Sequence, residues 1–312
     1  RPREIVFTAG ATEANNLALK GVVATAGPGA HVITSAIEHK AVLDCCRTLE
    51  ARGAEVTYLP VDTEGQIDVD QLAAAISERT VMVSLMAANN EIGVLQPLAE
   101  IGRLTKARGV LWHCDAAQAV AKIELDVEAL GIDLLSVSGH KLYAPKGVGF
   151  LCVRSRGPRV RLTAQVEGGG QERGLRAGTL NVAGIVALGR ACELGCEELP
   201  VEAARLLQMR QRLYEGLTTR LGPLVVNGHR EARLPGNLNL SFAGIDGAEL
   251  LAGLREIALS SGAACSSQEQ VPSHVLRAIG LSDDLARASL RFGLGRFNTM
   301  DEVEYAIKRV AT

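Results

Sequence analysis

The sequence predicts an α/β fold with a sheet buried on both faces, followed by a smaller α+β region. Three observations carry this. Short β-rich apolar runs alternate with helical segments through the first two-thirds of the 312 residues. The runs are apolar rather than strictly alternating, which suits strands covered by helices on both sides. From about Asn181 the texture changes to a long helical stretch and then to mixed short elements.

The elements follow in order. Residues 5–7 read as a strand that feeds a Gly-containing turn and a helix over 11–24. Residues 31–34 form the next strand, 39–52 a helix, 55–59 a strand and 70–77 a helix. A buried strand at 81–86 is followed by a helix at 98–108, a strand at 110–114 and a helix containing Ala116–Val120. Strands at 134–137 and 148–153 complete the set. The stretch 181–221 reads as helical, interrupted near Pro200, and a strand at 225–226, a strand at 237–242 and a helix at 247–256 follow. The expected division is a large domain over 1–195 and a small C-terminal domain over 196–312.

Composition excludes several classes. The formal charge of −2 gives no basic surplus for nucleic acid or an anionic membrane. No apolar run approaches the ~20 residues of a membrane helix. The charged start leads straight into a strand, so no signal peptide is expected. The seven cysteines form no CxxC pair, so neither zinc nor a disulfide scaffold is predicted. Reduced thiols in a cytoplasmic protein are the expectation.

Functional residues are expected beyond the carboxyl ends of the strands. Ser138-Gly139-His140-Lys141 closes a strand and presents a lysine on a polar turn. Such an amine forms a Schiff base if partly desolvated or held near a cation. Asp115 ends another strand, with Gln118 three residues on. A buried carboxylate there suits the ring nitrogen of pyridoxal phosphate, which it keeps protonated. It equally suits a helix N-cap. Thr8-Ala9-Gly10-Ala11-Thr12-Glu13 offers a strand, a Gly turn and a helix start, the arrangement that binds phosphate, though Thr12 also reads as a simple cap. Ser138 and His140 add donors. The turn around Asn90 offers amides for a ring oxygen or a carboxylate. His39, at a helix start, is placed to stack on a ring or to carry protons.

Together these segments resemble a known family. Ala11-Thr12, Glu38-His39-Lys40, Asn89-Asn90-Glu91-Ile92-Gly93, Asp115-Ala116-Ala117-Gln118 and Ser138-Gly139-His140-Lys141 occur in the order found in cysteine desulfurases of the class V aminotransferase fold. Gly168-Gly169-Gly170-Gln171-Glu172-Arg173, Arg176-Ala177-Gly178-Thr179, Ser260-Ser261-Gly262-Ala263-Ala264-Cys265-Ser266 and Ser289-Leu290-Arg291-Phe292-Gly293 continue the match. The resemblance is to the iron–sulfur-assembly group and implies a fold type I transferase with a mainly parallel seven-stranded sheet.

It also implies roles. Lys141 would be the Schiff-base lysine, and His39 would stack on the pyridine ring. Asp115 would pair with the ring nitrogen and Gln118 with the phenolic oxygen. Asn90 would face the cofactor and the substrate carboxylate. Ala11, Thr12, Ser138, Gly139 and His140 would surround the phosphate, joined by Thr179 from the partner subunit of a homodimer. Arg291 would take the carboxylate of L-cysteine. Cys265 would be the nucleophile that accepts sulfur as a persulfide, leaving L-alanine, and would pass it to an acceptor or iron–sulfur scaffold protein. The only metal contact implied is a transient one between an iron–sulfur cluster and Cys265. Chains of that group begin several tens of residues earlier, with a segment at the substrate cleft and dimer surface, and end in a docking tail; neither falls within Arg1–Thr312, so the expectation is a fragment or an incomplete or divergent member. Another class V enzyme, a selenocysteine lyase, and a non-catalytic sulfur-transfer module are the competing expectations. Cys265 argues against an aminotransferase, which needs no thiol there.

Overall fold

The computed structural model of the chain describes residues 1–157, 160–261 and 271–312. Seven strands form one sheet: β1 (Ile5–Thr8), β2 (His31–Ser35), β3 (Glu55–Leu59), β4 (Thr80–Ser84), β5 (Leu111–Asp115), β6 (Leu134–Ser138) and β7 (Gly149–Val153). Their order is β1-β7-β6-β5-β4-β2-β3. The pairs β2·β3, β2·β4, β4·β5 and β5·β6 are parallel. β7 runs antiparallel to both β1 and β6. The reason is the connection: residues 139–148 hold only a single 3₁₀ turn at Gly139–Lys141, too little to cross back over the sheet.

Helices α1 (Ala11–Ala26), α2 (Lys40–Glu50), α3 (Val69–Ala75), α4 (Leu98–Arg108) and α5 (Val127–Leu130) link the strands. α1 buries Ala14, Leu17, Ala18, Leu19 and Val22 in one core with Val6, Val32, Met82, Leu134 and Leu151. Their ends follow local chemistry. Asp68 and Asp126 cap α3 and α5 by accepting from backbone N–H groups. α4 stops where Gly109 takes the left-handed conformation (φ +67°).

Two expectations change. Ala116–Val120 forms turns, with Ala121 at φ +59°, and no helix; a left-handed non-glycine residue ends any helical run there. α6 (Val182–Leu221) is a continuous helix with Pro200 inside it. An interior proline costs about 3 kcal/mol or more. Leu188 before it, and Leu206, Met209, Leu213 and Leu217 after it, are buried and offset that cost.

The chain divides into two compact units. The first is Arg1–Pro60, Ile67–Ala88 and Gln96–Glu197; the second is Val61–Gln66, Asn89–Leu95 and Glu198–Thr312. The division falls inside α6, and the two short excursions join the second unit across large sequence separations. The second unit holds an antiparallel sheet, β8 (Val225–Val226), β9 (Asn237–Ser241), β10 (Ser260–Ser261) and β11 (Ser289–Gly293), in the order β10-β11-β9-β8. Helices α7 (Gly247–Gly253), α8 (His274–Ala278), α9 (Asp283–Arg287) and α10 (Met300–Val310) accompany it. Its core combines Leu238, Leu240, Leu290 and Phe292 of the sheet with Leu213, Leu217, Val303 and Ile307 of the helices. Among the described residues no helix is long and apolar enough to cross a membrane.

Candidate active site

In the first unit the carboxyl ends of β1, β2, β5 and β6 are followed by turns that carry polar residues, while β7 starts at the same edge. Thr8 and Ser138 both pair with Gly149, from its two sides. A Cβ on Gly149 would strike Val137 O and stand 2.7 Å from Gly10 Cα, so only glycine lets the β1–α1 turn approach β6 this closely.

That approach builds an anion cradle. Gly10 is the N-cap of α1 and offers no side-chain cap, so the amides of Ala11 and Thr12 lack an intrahelical acceptor. Ser138 Oγ stands 3.7 Å from where a Cβ on Gly10 would lie. It shares a 3.0 Å hydrogen bond with His140 Nδ1. Burial, together with the charges of Lys141 and Lys146, holds the His140 imidazole below its ordinary pKa. Glu13 braces the turn by accepting from Ala9 N (2.7 Å) and from Arg176 Nε (2.7 Å). Gly139 is buried and donates its N–H to Val148 O at 2.9 Å, and Lys141 follows on the exposed side of the turn.

Asp115 is 6 % exposed. Its Oδ2 accepts from Asn15 Nδ2 at 2.7 Å and its Oδ1 from Ala117 N at 3.0 Å. Burial pushes its pKa up, against the pull of these two donors and of the His39 charge. Asp115 therefore organises a turn rather than capping a helix. Gln118, on that turn, accepts from Lys122 Nζ at 3.3 Å. His39 caps α2 by accepting Ala41 N–H at Nδ1 (3.1 Å); the neutral ring then carries its proton on Nε2.

Two residues escaped the sequence reading. Asn15 lies on the buried face of α1, and its Oδ1 is buried without a hydrogen-bond partner. A polar residue at an otherwise apolar helix position was the available signal. Glu38 is fully buried, and its Oε1 accepts from Ser35 Oγ and from Met86 N, both at 2.9 Å. Burial and the nearby Asp115 push its pKa up to about 8, against those two donors.

The remaining residues are found elsewhere. Thr179 is exposed and lines a small cavity with Phe7, Thr8, Ala9 and Arg176 of its own chain. Asn90 and Arg291 belong to the second unit, where Arg291 Nη1 donates to Asn90 O at 2.6 Å. Cys265 lies outside the described residues.

The Aminotransferase class-V family matches residues 1–306. A protein of Aeromonas salmonicida named Cysteine desulfurase IscS is 54% identical over 310 residues, 99% of this chain and 76% of that protein. The chain belongs to the aminotransferase class-V family, on its cysteine desulfurase branch. The human protein named Cysteine desulfurase is 52% identical over 309 residues, 99% of this chain and 67% of its own length. Among solved structures, a NifS-like protein superimposes with a TM-score of 0.91 at 38% identity, covering all of this chain and 82% of that one. A structure described as SspA in complex with cysteine gives a TM-score of 0.83 at 39% identity, covering 96% and 83%. Members of this branch depend in general on pyridoxal phosphate.

The residues present fit that group. The first-turn amides of α1, the Ser138 hydroxyl and His140 make a phosphate donor set. Asp115 is a buried carboxylate held by neutral donors only, which suits a protonated ring nitrogen.

Proposed function

We propose that the chain is a pyridoxal-phosphate-dependent enzyme that removes sulfur from L-cysteine, giving L-alanine and a persulfide on Cys265. The observation that carries the reading is the gathering, along one sheet edge, of the α1 amide cradle, the Ser138–His140 pair, buried Asp115 and Lys141.

Ala11, Thr12, Ser138, Gly139 and His140 would hold the phosphate; Asp115, Gln118, His39 and Asn90 would hold the ring. Bound there, pyridoxal phosphate supplies an electrophilic carbon for an amine and an electron sink for the substrate's α-carbon. Asp115 keeps a proton on the ring nitrogen, because a charged carboxylate in a buried site favours the cationic partner. Asn15 holds Asp115 in place through Oδ2. Lys141 would hold the cofactor through Nζ and would move the proton at the substrate's α-carbon. Arg291 takes the substrate carboxylate as a two-pronged donor.

The Cys265 thiolate attacks the substrate sulfur. An S–S bond forms and the substrate's Cβ–S bond breaks, its electron pair staying on carbon, which ends protonated as alanine. Cys265 plus cysteine thus gives Cys265 persulfide plus alanine, with no outside oxidant. The thiol starts near a pKa of ~8.5, and a neighbouring cation lowers it. His39, with Nδ1 accepting from Ala41 N–H, carries its proton on Nε2 and would donate from there.

A homodimer sharing Thr179 across its interface, and an acceptor protein for the persulfide sulfur, complete the proposal. Val182 and Val186, both about two-thirds exposed one turn apart at the start of α6, support such an interface. The six described cysteines are free thiols, which supports a reducing, cytoplasmic compartment.

The test is incubation of the purified protein with L-cysteine, measuring alanine and protein-bound sulfane sulfur together. Equal amounts of both in the first turnover, with the added sulfur mapped to Cys265, are expected. Alanine without sulfur on Cys265, or pyruvate in place of alanine, would overturn the assignment.

A further inference from the structure

We infer that Glu38 is a positioning residue: its side chain stands in for a strand carbonyl just past the end of β2, and so fixes against the sheet the turn that presents His39. The inference rests on the proposal that His39 holds the cofactor ring.

The chain leaving β4 bonds to its two neighbours in alternation. Leu85 N donates to His113 O at 3.0 Å and Ala87 N to Asp115 O at 2.9 Å, both on the β5 side. Met86 N–H, between them, faces the β2 side. There the ladder has run out. The last β2·β4 pair is Thr34 with Ser84, β2 stops at Ser35, and Ala36 N turns to Leu59 O of β3 at 2.9 Å. Met86 N–H is received instead by Glu38 Oε1 at 2.9 Å. A buried N–H needs an acceptor, and the carboxyl supplies one further rung after the strand has turned away.

The turn from Ser35 to Glu38 is closed by its own residues. Glu38 N donates to Ser35 O at 3.4 Å, and Ser35 Oγ donates to Glu38 Oε1 at 2.9 Å. One carboxyl oxygen thus collects a hydroxyl from its own turn and an amide from the exit of the neighbouring strand. Both residues are buried. The length of the side chain decides whether the second bond is made: an aspartate, one methylene shorter, ends short of Met86 N.

Buried Glu38 is followed directly by exposed His39. His39 is itself fixed to the start of α2, where Nδ1 accepts from Ala41 N at 3.1 Å and its carbonyl accepts from Val42 N and Leu43 N at 2.8 and 3.1 Å. The ring is therefore tied to the helix start, the helix start to Glu38, and Glu38 to Met86. Asp115 is tied through its carbonyl to the very next residue, Ala87. His39 and Asp115, both proposed to hold the ring, thus hang from adjacent peptide units of one segment. They lie close enough for the charge of His39 to pull down the Asp115 pKa, against the larger effect of burial.

The task asked of Glu38 is reach and acceptance, not charge. Burial, and with it the charge of Asp115, favours the neutral acid of Glu38. Glutamine has the same length, an acceptor oxygen in the same place and no charge, so it preserves both bonds to Oε1. Aspartate keeps the carboxyl but loses the reach. The two replacements separate position from charge.

The experiment titrates the full chain, stripped of cofactor, with pyridoxal phosphate. Glu38→Ala and Glu38→Asp should each raise Kd about five- to tenfold, the loss of a well-placed ring contact. Glu38→Gln should stay within about twofold of the parent. His39→Ala should raise Kd by as much as Glu38→Ala, and the double variant no further, because both changes remove the same contact. Losses that multiply in the double variant, Glu38→Gln as weak as Glu38→Ala, or Glu38→Asp at the parent's affinity would each overturn the inference. If Glu38→Ala fails to fold, Glu38→Asp, which keeps a buried carboxyl, takes its place in every comparison. A parent that takes up no cofactor, or His39→Ala binding as tightly as the parent, overturns the proposed role of His39 itself. His39→Ala weakened with Glu38→Asp unchanged overturns the Glu38 inference only.

Discussion

The polar groups at the sheet edge of the first unit and the polar cluster inside the second are built on opposite rules. In the second unit Asn227 Nδ2 donates to Asn239 Oδ1 and Ser241 Oγ, both at 2.8 Å, and Asn227 Oδ1 accepts from Ser241 Oγ at 3.0 Å. Ser289 Oγ lies 2.7 Å from Ser241 Oγ, and its hydroxyl donates to Leu285 O. The circuit closes on itself, fixes the pairing of β8, β9 and β11, and leaves nothing for a ligand. In the first unit the circuit is open. Asn15 Oδ1 is buried without a partner, the first turn of α1 has no side-chain cap, and Asp115 accepts hydrogen bonds from neutral donors alone. Buried polarity that satisfies itself is structure. At the sheet edge, polarity folded in with valence to spare coincides with the candidate site.

Four measurements press on that contrast. The largest effect is expected at Lys141: Lys141→Ala should lower alanine formation at least about a thousandfold without lowering Tm. A fall in Tm with activity retained would make Lys141 part of the framework. Next, Asp115→Asn should keep the cofactor but cut kcat about ten- to a hundredfold, the loss of one charge-assisted bond worth ~1.5–3 kcal/mol. An unchanged kcat would reduce Asp115 to a turn-former. The third moves the other way. Asn227→Ala opens the closed circuit and should cost about 1–3 kcal/mol, a Tm loss of roughly 3 °C per kcal/mol, with kcat within about twofold. If activity falls as far as stability, the two regions are not separable.

The smallest effect concerns His113, a neutral framework imidazole between Ser84 Oγ (2.8 Å) and Ser136 Oγ (2.9 Å). Burial pushes its pKa down to about 3, against ~6.5 in the unfolded chain. Its contribution is therefore fully present above pH 6.5 and is lost as pH falls towards 3, at up to about 1.4 kcal/mol per pH unit. Chemical denaturation of the parent and of His113→Asn between pH 7 and 4 should show the steeper fall in the parent. Parallel curves would mean that His113 does not titrate in this window.

Much of the first unit is legible in the sequence, because its strands are local apolar runs and its site residues sit just past their ends. The candidate residues Lys141, Asp115, Ser138 and Thr12 are read this way. What escapes is set by long-range contact. Periodicity marks Pro200 as a break, yet burial on both sides carries α6 through it. It offers no reason for Asn89–Leu95 to join the second unit, since the partners that hold Glu91 lie about 150 and 180 residues away, at Asn239 and Ser273. Glu38 reads as part of a Glu-His pair, and only the fold shows its carboxyl buried against Met86 N. Hydrogen-bond partners, unlike periodicity, have no local signature.

The sheet order also carries a consequence for how the chain is made. Among the described residues β1 pairs with β7 alone, with Ile5 opposite Cys152, and contacts of such sequence separation form slowly. On a ribosome, the segment that starts α1 leaves the exit tunnel long before Gly149 does. The Gly10 turn, which depends on Gly149 for its close approach to β6, is thus assembled only after that glycine has been made.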